Sequence, residues 1–196
     1  MRPAGERDVA GIRAELARLA RYDDESIVHG RWIRQRYDGG YAASYLPARA
    51  AAVRTAWHEA GHAVAALAVG ARFSSASIYH GRDSAGRVHG IQGTGELGFV
   101  VDAAGHIAER LRTWTMLDRD DELRAWLAGW TRDGGDAGRF RRAIAPRFGD
   151  DACAAWRYSE QVLTPRRMAI RELSRALLVH PRPLGYAAAA AIAGPG

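Results

Sequence analysis

His58 and His62 stand four residues apart in the segment HEAGH, within the longer run VRTAWHEAGHAVAALAVGARF. On an α-helix that spacing stacks the two side chains on one face. Two imidazoles so placed reach one metal ion, at the roughly 2.0–2.1 Å that zinc prefers for nitrogen. Glu59, next to the first histidine, can contact water at the metal without being a ligand, which is the arrangement of a hydrolytic general base. Ala60 and Gly61 are small and leave room for substrate or a neighbouring helix. Helical histidines are also satisfied by hydrogen bonds with no metal at all. The apolar setting weighs against that plainer account. AVAALAV follows directly, and three polar side chains embedded beside it would cost free energy without a role.

The helix that must carry these residues runs from about 47 to 70, with Pro47 in its first turn and Gly70 at its end. Before it, Val9, Ile12, Leu16 and Leu19 recur at helical spacing over 6–22, an amphipathic helix that has to pack on something. After it, SSASIYHG and RVHGI flank the turn residues RDSAG and read as a short hairpin. From about 95 onward the pattern is helical throughout. Val100, Ala103, Ala104, Ile107 and Leu111 share one face, DDELRAWLAGW opens with acids, and DAGRFRRAIAPRF follows two glycines. TPRRMAIRELSRALLVHP begins with a Thr cap and an N-terminal proline, and LGYAAAAAIAG reads as a short closing helix. The expected fold is mainly α, a helical bundle with one small β-hairpin. Its one internal boundary separates an N-terminal helical extension, 1–46, from the remainder, 47–196.

With 196 residues the chain can build one good core, and its 47% hydrophobic and 26% charged composition is that of a soluble globular protein. No apolar run approaches the ~18 residues of a membrane helix, and the N-terminus lacks an apolar export core. A single cysteine, Cys153, excludes an internal disulfide and looks like a small buried filler, so a reducing, cytoplasmic setting is expected. The net charge is +6 and every basic residue is arginine. These arginines are dispersed, which argues against a nucleic-acid surface. An Arg-rich nucleic-acid binder and a non-catalytic zinc-binding module are the rival readings, and a complete HExxH speaks against the second because a structural site has no use for Glu59.

TAWHEAGHAVAALAVGARFSSASIYHGRDSAGRVHG resembles the peptidase domain of the FtsH-type ATP-dependent zinc proteases. SIYHGRDSAG and AGHIAERL stand in that family's order, and the likeness spans roughly residues 47–194. It implies a zincin-like fold, a Zn2+ cofactor and hydrolysis of peptide bonds. No GxxxxGK[ST] loop occurs in the sequence, so the family's ATP-driven motor is missing. A peptidase of this kind would act on flexible or unfolded polypeptides unless a separate unfoldase or adaptor assists it. The family's third zinc ligand is an aspartate early in a later helix. DGGDAGRFRRAI makes Asp136 the favoured counterpart, with Asp133 and Glu109 as alternatives. An aspartate there is equally an ordinary helix N-cap. By the same resemblance an edge strand near the metal helix holds substrate, a role that falls to SSASIYH. Among the remaining histidines, His80, His89 and His106 are within reach of such a site, His106 as a supporting residue. Trp126 and Trp130 read as core.

Overall fold

The computed structural model describes residues 6–24, 26–27, 45–78, 86–114, 119–130, 135–180 and 182–194. It is mainly helical: α1 (Glu6–Arg18), α2 (Tyr45–Ala68), α3 (Gly98–Thr113), α4 (Asp120–Trp130), α5 (Asp136–Phe148), α6 (Ala152–Leu163), α7 (Arg167–Val179) and α8 (Tyr186–Ala193). A small antiparallel sheet joins β1 (Ser75–Ser77), β2 (Arg87–His89) and β3 (Leu184–Gly185) in the order β2-β1-β3. No described helix is long and apolar enough to cross a membrane.

The bundle is organised around α2, which packs most extensively on α3 and next on α7. Its small residues set how near those helices come. A Cβ at Gly61 would lie 2.5 Å from the Ala104 carbonyl oxygen and 2.6 Å from the Ala108 methyl, so only glycine permits this approach. Ala56, Ala60, Ala63, Ala65 and Ala66 are fully buried around it. On α3, Val100, Ala103, Ala104, Ile107 and Leu111 are buried, the stripe its periodicity predicts, and Phe99 is buried as well, against Phe148 and Tyr158. Gly70, with φ +74°, ends α2 in the left-handed conformation that glycine adopts without penalty.

Three differences from the sequence expectation have local causes. The hairpin gains a third strand: Leu184 pairs with Ala76 and Gly185 with Ser75. A two-residue strand is too short to show alternation; Leu184 is fully buried. β1 is therefore the central strand, with partners on both sides, and cannot accept an added substrate strand. Thr164 makes no side-chain cap; the segment Thr164–Arg166 is a 3-10 turn leading into α7.

α1 belongs to the same core. Val9, Ile12, Leu16 and Leu19 are buried in it, and α1 packs on α7 and α8. Arg175 of α7, only 3% exposed, donates to the carbonyls of Leu19 (2.7 Å) and Tyr22 (2.8 Å) just beyond the helix. Its Nε lies 3.4 Å from Asp24, whose other oxygen accepts from Trp57 of α2 at 3.1 Å. The segment after α1 is thereby tied to the helix that carries HEAGH. Replacing Arg175 by leucine leaves Asp24 without its buried cation and takes a donor from the Leu19 and Tyr22 carbonyls. Asp24 keeps Trp57, and the Leu19 carbonyl keeps the Tyr22 N–H. The expected cost is roughly 3 kcal/mol or more, a fall of about 6–12 °C in thermal midpoint. An unchanged midpoint in a denaturation scan would show that this tie contributes nothing to stability.

Candidate metal centre

α2 presents His58, Glu59 and His62 to a cleft of about 610 Å³ whose other walls come from β2, α3 and the start of α5. His62 is 7% exposed and Glu59 6% exposed. Asp136, the first residue of α5, meets both histidines. Its Oδ2 lies 3.1 Å from His58 Nε2 and 3.1 Å from His62 Nε2, and the two Nε2 atoms are 3.0 Å apart. The three atoms form a nearly equilateral triangle.

Their protonation follows from what lies behind them. His62 Nδ1 is 2.7 Å from the Val101 carbonyl, which can only accept, so Nδ1 carries the hydrogen. His58 Nδ1 is 2.7 Å from Glu109 Oε1 and donates to that carboxylate. Both Nε2 lone pairs then point inward at a carboxylate oxygen. Three acceptors at this spacing repel unless a cation lies between them, either a shared proton or a metal ion. Burial alone would lower the His58 pKa, but the hydrogen bonds to Asp136 and Glu109 and the Glu59 charge outweigh it and hold it at about 9. Burial likewise opposes ionisation of Asp136 and Glu109, yet their bonds with the imidazoles keep both carboxyls below the usual range. Glu59 is different: burial lifts its carboxyl above the ordinary value despite the nearby histidines, and the Val88 N–H of β2 donates to it.

The donor set fits a divalent metal. Tetrahedral zinc with bonds of ~2.0–2.1 Å places its ligand atoms about 3.3–3.4 Å apart, close to the observed triangle. Each histidine donates its other ring nitrogen to a carbonyl or carboxylate, the support that metal-bound imidazoles normally have. His58, His62 and Asp136 form one such cluster among the described residues; His58, His106 and Glu109 form another. The second also uses His58, whose Nδ1 already donates to Glu109, so Glu109 is placed to orient His58 rather than to join the first trio.

Glycines make the space. A Cβ at Gly105 would lie 2.5 Å from His58 Nε2 and 2.6 Å from His62 Nε2, inside the imidazole pair. One at Gly86, ahead of β2, would lie 2.7 Å from the Glu59 side chain. Gly135 supplies the N-cap of α5 at φ +70°, and Asp136 makes no capping bond; its carboxylate is turned to the histidines instead.

Of the other expected residues, His106 packs edge-on against His58 with ring centroids 5.1 Å apart and against Trp130 at 5.1 Å. Burial, then the His58 charge, push its pKa down to about 4, which keeps it neutral. His89 lies on β2, outside the trio. Asp133 and His80 fall outside the described residues. Trp126 and Trp130 stack at 5.6 Å, with Trp130 buried, and Cys153 is a buried free thiol. Two residues that no motif marks also reach the site. Arg139 donates from Nη2 to Asp136 Oδ1 and from Nε to Asp102 Oδ1 at 2.9 Å. No family model, curated protein or solved structure matches this chain.

Gly105→Ala tests the cradle. The displaced atoms are ends of side chains, so the variant should keep the wild-type helical circular dichroism. Its divalent-metal content after dialysis should fall at least tenfold, second-shell losses alone being worth about 10–100-fold. Wild-type metal content would mean that the imidazole pair is not where metal binds.

Proposed function

We propose that this protein is a zinc-dependent peptidase with a zincin-like active site, akin to the FtsH-type peptidase domain, hydrolysing peptide bonds in flexible or unfolded polypeptides. The observation that carries this reading is the triangle of His58 Nε2, His62 Nε2 and Asp136 Oδ2 with Glu59 beside it on the same cleft wall. Three protein donors leave a position open, the mark of a catalytic rather than a structural zinc site. Glu109 is reassigned from alternative ligand to the residue that orients His58.

The chemistry supplied by zinc when bound is Lewis acidity, which makes water acidic near neutral pH and polarises a carbonyl. His58, His62 and Asp136 hold it. Glu59 makes no hydrogen bond to either imidazole in this arrangement, so its carboxylate is free to take a proton from the attacking water. It then delivers that proton to the leaving nitrogen as the peptide bond breaks. The raised affinity of a buried carboxyl for protons suits both halves of this exchange.

Substrate backbone is assigned to β2. Its far edge has no strand partner among the described residues, and Gly86, Arg87 and Val88 line the cleft. An extended peptide added there would run past Glu59 through main-chain hydrogen bonds. The free edge of β2 on the cleft wall favours substrates that are already extended.

Two substitutions separate the roles. Glu59→Gln should retain one zinc per chain and the fold while casein hydrolysis falls by at least 10²-fold, the usual scale for a general base. Retained hydrolysis at the wild-type rate, or loss of zinc, would remove Glu59 from that role. Asp136→Asn should weaken zinc binding by at least tenfold, measured by competition with a chromophoric chelator. An asparagine would serve equally well at a helix N-terminus, so unchanged affinity would mean that Asp136 is not a ligand.

A further inference from the structure

Asp136 has two carboxylate oxygens and only one of them faces the histidines. Oδ2 completes the triangle, whereas Oδ1 accepts from Arg139 one turn along α5. Arg139 is in turn held at its Nε by Asp102 of α3, at 2.9 Å. A guanidinium with its planar fork suits this bridging of two carboxylates, where a lysine ammonium offers only a point charge. The chain of contacts runs from α3, through Arg139, to the carboxylate at the site.

Arg139 is 53% exposed on its side chain. Exposed ion pairs add little to stability, so anchoring α5 is a weak reason for this arrangement. Its geometric consequence is stronger. A free aspartate can offer both oxygens to a cation, and a second oxygen would take up the position that water needs in a three-donor hydrolytic site. An oxygen already engaged by a guanidinium is a poor ligand.

Resting on the zinc reading above, we propose that Arg139, braced by Asp102, is a positioning residue that keeps Asp136 a one-oxygen ligand and the fourth coordination position open. The pair acts through Asp136 rather than on the reacting atoms. Asp102 serves by fixing the direction of the guanidinium; without it Arg139 can swing into the cleft that it lines.

The test uses the full chain as wild type, Arg139→Gln, Arg139→Lys and Asp102→Asn. Each is titrated with zinc against a chromophoric chelator and then loaded with Co2+ to record its visible d–d absorption. Arg139→Gln should weaken zinc binding about 10–100-fold, the usual range for supporting residues. Its Co2+ bands should change in position and intensity, because a second Asp136 oxygen would replace water among the four donors. Arg139→Lys should restore part of the affinity and part of the wild-type spectrum, and Asp102→Asn should fall between Gln and wild type. A merely structural tie predicts lower thermal midpoints in the metal-free variants with unchanged zinc affinity and an unchanged Co2+ spectrum. That outcome overturns the proposal while leaving the zinc reading intact. A wild-type chain that binds neither zinc nor Co2+ overturns both.

Discussion

The centre of this molecule is a repulsion that has to be relieved. Two imidazole nitrogens and a carboxylate oxygen meet at 3.0–3.1 Å with their lone pairs inward, because both outer ring hydrogens are committed to Val101 and Glu109. Holding such atoms together inside an apolar bundle requires one positive charge at their midpoint, and a proton and a metal ion compete for that place. Much of the surrounding packing serves the same end. α3 must come close enough for the Val101 carbonyl to reach His62, and Gly61 allows this from one side. Gly105 allows it from the other. It follows Val101 by four residues, so its missing side chain both clears the imidazoles and uncovers that carbonyl.

How much of this was legible in the sequence depended on distance along the chain. The histidine pair and Glu59 lie within one helical turn and a bit, so their shared face follows from the helical period alone. The buried stripes of α1 and α3 were equally readable for the same reason. Asp136 lies 74 residues from His62, and only resemblance marked it; locally it looked like a cap. The structure gives that task to Gly135 and leaves the carboxylate free. Glu109 was recognisable as chemistry-bearing but not in its role, because facing the outer nitrogen of His58 rather than the inner one is a matter of about two ångströms that no spacing rule encodes.

Arg139 and Asp102 left almost no trace. Asp136 and Arg139 at i, i+3 form the commonplace pair of a helix surface, and the Asp102 contact spans 37 residues. In a chain whose 28 basic residues are all arginine, one more carries no signal. β3 was hidden differently. Two residues beside prolines do not form a pattern, and their pairing exists because β1 has a buried edge to satisfy.

Among the described residues four carboxylates surround the two histidines, and their hydrogen-bond partners divide the work among them. Asp136 is shared between the imidazoles and Arg139, Glu109 is occupied by His58, and Asp102 by Arg139. Asp136 and Glu109 are thus kept below the usual carboxylate range, which suits a ligand and a prop whose charge must stay fixed. At Asp102, by contrast, burial outweighs Arg139 and raises the carboxyl. Glu59 alone of the four has no imidazole or guanidinium partner among the described residues; a backbone N–H from β2 donates to it at the cleft wall, and burial favours its neutral form. Neighbouring carboxyls driven apart in proton affinity by their surroundings take different roles. Of the two carboxyls that burial raises here, Asp102 is engaged by Arg139, and Glu59 is the one that the HEAGH spacing sets beside the two histidines without making it a ligand.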